Sequence, residues 1–130
     1  MKKLILFVVL LFSLTISAQE KKQFVETYTI GKSIDVNGNS SEWTSVGEVR
    51  IFFNYRNVST SVRMYAETGV RDFKQIGATT KGVTDSGVEY SLLELYNIID
   101  GTIIVLAYYS DARYGVLIVF EDGTGIQLSN

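Results

Sequence analysis

The sequence predicts an all-β fold: one antiparallel domain of about eight strands, closed as a meander barrel or stacked as a β-sandwich. Three observations carry that expectation. Short runs of Val, Ile, Leu, Phe and Tyr recur along the chain, some alternating with polar residues and some continuous. Turn-forming pairs such as Asn37-Gly38, Thr68-Gly69 and Asp100-Gly101 separate those runs at short intervals. No proline occurs in the 130 residues, so no strand loses a ladder donor. Nearly every connection is short enough for a hairpin, which favours a meander closing on itself over a Greek key.

Residues 1–18 read as a signal peptide rather than as fold. Lys2 and Lys3 precede an apolar stretch over 4–14, broken only at Ser13, and Ser17-Ala18 supply small residues before Gln19. The stretch is shorter than the roughly 20 residues a spanning helix needs. No cysteine is present for lipid anchoring or for disulfides. An exported chain without disulfides fits a bacterial envelope, so the expected location is periplasmic or extracellular. The remaining segment, 19–130, is long enough to bury a core of its own. Its later apolar runs are all too short to span a membrane.

The first strand is expected over 24–30, with Phe24, Glu26, Tyr28 and Ile30 on one face. Asp35 to Ser41 is the strongest turn signal, because Asn37-Gly38 readily supplies positive φ. Trp43, the one tryptophan, is expected to plug an end of the core. Strands follow over 46–55, 61–67 and 70–76, by alternation. The run GATTKGVTDSG over 77–87 reads as the longest polar connection and a mobile loop. Residues 88–96 fit a short helix or a strand, and the surrounding pattern with Tyr90 favours a strand. The centre of the sheet is a hairpin: Ile103 to Ala107 and Val116 to Phe120 flank the polar break Ser110-Asp111-Ala112-Arg113. Residues 126–128 close the pattern as a short last strand.

Several chemistries are absent from the composition. With no histidine and no cysteine, the His-dependent triads, thiolate nucleophiles and common zinc ligand sets are missing. No GxxxxGK phosphate loop occurs. Without Lys2 and Lys3 the chain holds ten basic against 14 acidic residues, a formal net charge of −4. The basic residues are scattered, which disfavours nucleic acid as a partner. Asp35, Asn37 and Asn39 match the opening ligands of an EF-hand, but Ser40 and Val46 stand where it needs glycine and glutamate. No metal, cofactor or catalytic residue is therefore assigned, and the chain is read as a binding module rather than an enzyme.

The partner class stays open among a protein, a glycan and a small apolar ligand. Ile34, Asn37-Gly38 and Glu42-Trp43 resemble the I-D-G…E-W opening of family 9-type carbohydrate-binding domains, with Asn37 in place of the aspartate. That resemblance implies a glycan partner and carries over no sugar-binding residue. The candidate binding residues are Tyr108, Tyr109, Asp111, Arg113 and Tyr114, which bracket the hairpin tip. Tyrosine offers a large rigid face with a polar end, which suits recognition. The hairpin is apolar on both faces, so one face needs a cover: a second layer, an apolar ligand inside a barrel, or a partner chain. A structural role in the envelope is the alternative function, with a carboxylate-based hydrolase behind it.

Overall fold

A computed structural model describes residues 22–130. The proposed signal peptide lies outside the described residues. The chain forms eight antiparallel strands: β1 (Phe24–Ile34), β2 (Thr44–Phe53), β3 (Ser61–Ala66), β4 (Gly69–Val83), β5 (Glu89–Asn97), β6 (Ile103–Tyr109), β7 (Val116–Val119) and β8 (Gly125–Ser129). Each pairs with its neighbours in sequence, and β8 returns to β1, closing the barrel. The expected meander is thus the fold, and closure leaves no sheet centre for the β6–β7 hairpin to occupy. No helix among the described residues is long and apolar enough to cross a membrane.

Alternation sorts the side chains between the two sides of the wall. Tyr28, Ile51, Val62, Leu95, Leu106 and Val116 are buried inside the barrel. Full burial of one such aliphatic side chain contributes about 1.5–3 kcal/mol. Arg50, Lys74 and Glu94 stand on the exposed outer side. On the outer side of β5–β7, Leu92, Val105, Leu117 and Val119 half-bury one another around Ala107.

Three local expectations need correction. The polar run 77–87 is mostly strand: β4 continues to Val83, pairing Thr80 with Leu92 and Val83 with Glu89, and the turn shrinks to 84–88. A register shift between Ile76 and Thr80, with Gly77 at φ 70°, absorbs the irregularity. The ring of Tyr90, the partner of Gly82 across the pair, lies where a Cβ would go and would have to move for any larger residue. The uniform face expected for 24–30 also breaks, since the β1–β2 register shifts between Tyr28 and Ile30. That shift turns Gly31 toward Val46 and Leu128. Trp43 does not plug the core: it is 40% exposed beside β2, with Lys32 Nζ 4.8 Å from its ring centre.

Candidate functional site

The two ends of the barrel differ. At the end bearing the β2–β3 and β6–β7 connections, aromatic rings close the interior, with Phe53 buried and Phe24 exposed over it. Phe24 stacks on Phe53 with ring centres 4.7 Å apart, and Tyr108 packs edge-on against Phe53 at 5.4 Å. Among these rings the Tyr108 hydroxyl donates to Glu26 Oε1 at 3.0 Å. Burial raises the Tyr28 and Tyr108 phenols above their ordinary value, and the Glu26 carboxylate adds to both shifts.

The opposite end is open. A cavity of about 720 Å³ enters the barrel there. That volume lies within the usual range for small-molecule sites, about 300–1,000 Å³. Its wall is apolar, built by Val46 and Val49 of β2, Met64 of β3, Phe73 of β4, Ile104 of β6 and Ile118 of β7. Side chains of moderate size face one another here, and an eight-stranded barrel is wide enough to leave space between them. Glu67, Arg71, Asp100, Glu121 and Asp122 form the polar rim.

Two of the turns at this mouth repeat one motif, Asp-Gly-Thr, at 100–102 and 122–124. Asp100 Oδ1 accepts from the Thr102 N–H at 2.9 Å and from its hydroxyl at 2.7 Å. Asp122 Oδ1 accepts from the Thr124 N–H at 2.9 Å and from its hydroxyl at 2.6 Å. These bonds hold both carboxyls below the usual carboxylate range. Glu121 Oε1 accepts from the Ile103 N–H at 2.8 Å and ties the two turns together. The rim carboxylates therefore shape the mouth.

The tyrosine-based site does not assemble as one surface. Tyr108 faces inward, and its neighbour Tyr109 faces outward because adjacent strand residues point to opposite sides. Outside, Tyr109 lies 5.7 Å from Tyr114 and 6.1 Å from Tyr90, ring centre to ring centre. Asp111 and Arg113 spend their charges on each other, Nη2 to Oδ2 at 2.7 Å. All five lie at the filled end, away from the cavity. Tyr55 and Tyr65 join a separate outer cluster, donating no surface to the hairpin tip. There the Arg63 guanidinium donates to both phenol oxygens, at 2.9 and 3.1 Å, and to both oxygens of Asp72.

The cavity residues were not singled out by the sequence reading. The repeated Asp-Gly-Thr was the available signal, since it marks two turns of like geometry at one end of a meander. No protein-family model, no curated protein and no solved structure matches the chain.

Proposed function

We propose that the chain is an exported binding protein that holds a small, largely apolar molecule in the open end of its barrel. The observation that carries this reading is the asymmetry of the interior: one end is packed with rings, and the other keeps an apolar space with an open mouth. A barrel that only needed stability gains by filling such a space, since unfilled apolar volume costs packing energy. The signal-like pattern of 1–18 supports export. A non-catalytic role is supported by the lack of histidine and cysteine and by the rim chemistry. Asp100 and Asp122 have lowered pKa values, the reverse of the raised carboxyl that a glycosidase acid uses.

The test is titration of the purified chain with N-phenylnaphthylamine, a neutral fluorescent apolar probe. Saturable uptake of one probe per chain is expected. Ile126→Trp, placed on the cavity wall, is expected to abolish uptake while leaving the β-type dichroism intact, and Met64→Trp serves if that variant misfolds. Uptake that is absent, or that persists in a folded cavity-filled variant, would return the reading to a protein or glycan partner, or to a structural envelope role.

A further inference from the structure

Asn97 interrupts the apolar wall of the cavity, and Arg71, an exposed residue of the rim, stands near it. Asn97 of β5 is paired with Phe73 of β4, and Arg71 lies two residues before Phe73 on the same inward face. Residues so placed are diagonal neighbours, about 7–8 Å apart along the wall. Both present donors to the cavity.

Asn97 is only 7% exposed, yet half of its amide lacks a protein partner. Its Oδ1 accepts from the N–H groups of Ile99 at 2.9 Å and Asp100 at 3.4 Å. Those two donors fix which atom is oxygen, so Nδ2 is the end left toward the cavity. The Nδ2 group has no hydrogen bond among the described residues, and it is not sealed from the cavity. With accessible surface and no protein acceptor, the Nδ2 group is left to donate to whatever occupies the cavity. The Arg71 guanidinium makes no ion pair among the described residues, and its charge helps to lower the Asp100 pKa. Its planar fork offers two parallel N–H groups to a carboxylate.

The rim also carries Glu67, Asp100, Glu121 and Asp122, whose field favours a cation. Three of these have an oxygen committed to turn donors. Charges at a wet mouth, Arg71 among them, are screened over about 8 Å at physiological salt and act mainly at contact, where the Asn97 Nδ2 and the Arg71 guanidinium are the groups without a bonded partner among the described residues. The donors therefore decide which head group fits.

We infer that the cavity takes an amphipathic monocarboxylate, its carboxylate held by Arg71 and Asn97 and its apolar body against Val46, Met64, Ile104 and Ile118. This rests on the binding reading above and adds the chemical class of the ligand.

Calorimetric titration of the full mature chain with decanoate, decanol and decylammonium, each below its micelle concentration, tests it. Decanoate is expected to bind about tenfold more tightly than decanol, and decylammonium most weakly. Arg71→Met is expected to weaken decanoate about tenfold and decanol far less. Asn97→Asp keeps the acceptor for Ile99 and Asp100 but replaces the donor by a carboxylate, so decanoate binding is expected to be lost. Equal affinity for the three heads, or unchanged decanoate binding in Arg71→Met, overturns the head-group assignment and leaves the cavity reading standing. If none of the three binds and N-phenylnaphthylamine is not taken up either, both readings fail.

Discussion

Tyr108 and Glu26, 82 residues apart in sequence, meet inside the filled end of the barrel, where the phenol donates to the carboxylate at 3.0 Å. The bond exists only while the phenol keeps its proton. Burial first, and the adjacent Glu26 charge next, raise the Tyr28 and Tyr108 pKa values. For an acid whose folded pKa is raised, the folded state holds more protons than the unfolded chain once pH passes the unfolded value. The stabilisation is complete below about pH 10, the ordinary phenol value, and is lost as pH rises above it. Melting temperature is therefore expected to fall between about pH 10 and pH 12, and Tyr108→Phe is expected to flatten part of that fall. A flat profile in the unmodified chain would sink the account.

The two ends of the barrel also predict different costs for the same kind of truncation. Leu106 is fully buried in the filled interior, so Leu106→Ala leaves a new void and is expected to cost about 3–4 kcal/mol. Met64 lines the cavity, and its truncation enlarges a space that is already open. Met64→Ala is expected to cost about 2 kcal/mol, the low end for such truncations, because Met64 is only partly buried. Urea unfolding of the two variants gives the comparison, and equal losses would mean that the cavity is closed in solution.

Two glycines with positive φ separate conformation from crowding. Gly38 has φ 86°, and a Cβ there would touch nothing within 4 Å. Gly38→Ala is expected to cost about 1 kcal/mol, the left-handed penalty alone. Gly115 has φ 60°, and a Cβ there would strike the carbonyl oxygen of Leu128, which is backbone of β8 and cannot rotate away. Gly115→Ala is expected to cost at least about 3 kcal/mol, by opening the β6–β7 turn away from β8. Denaturation midpoints of the pair decide whether crowding adds to the backbone term.

Trp43 gives an optical test of its position. An indole 40% exposed, with an ammonium group over one face, sits in a polar setting. Its emission is expected to be red-shifted in the folded chain and to move little on unfolding, with ready quenching by acrylamide. A blue emission maximum would put the ring back inside the core.

The same residue marks where the sequence stops being informative. The β6–β7 hairpin is legible because its apolar, β-branched runs leave no other place to go. Trp43 carries no such constraint: which side it faces depends on shifts set elsewhere, between Tyr28 and Ile30 and at Gly47, φ 71°. The extension of β4 is illegible for a related reason. Thr79 to Gly82 look like loop, and only the ladder offered by β5 and the Tyr90 ring over Gly82 make them strand. The cavity is further still from the sequence, because an empty space comes from barrel width against side-chain size, and neither is written locally. Arg71 and Asn97 pass in the sequence for ordinary polar strand-end residues, and register alone sets them on the cavity side, Asn97 in the wall and Arg71 at the rim.

Arg63 provides the last prediction, a contrast between two ion pairs on one wall. Arg63 and Asp72 are direct partners across β3–β4, and the guanidinium uses Nε and Nη2 on the two carboxylate oxygens, the second at 2.9 Å. Nη1 serves Tyr55 and Tyr65, and the guanidinium carbon lies 4.3 Å from the Tyr55 ring centre. A lysine ammonium has neither the fork nor the plane, so it loses most of these contacts at once. Arg50 makes a single bond to Glu48, with both side chains about half exposed, and such pairs contribute little. Arg63→Lys is expected to lower the melting temperature by several degrees, while Arg50→Lys leaves it within error. The Tyr65 phenol supplies an independent readout. Arg63 donation holds its pKa below the ordinary value, so ultraviolet titration should show one phenol moving upward in Arg63→Lys. Equal melting losses in the two variants, with no phenol moving, would show that the Arg63 cluster is ordinary surface charge.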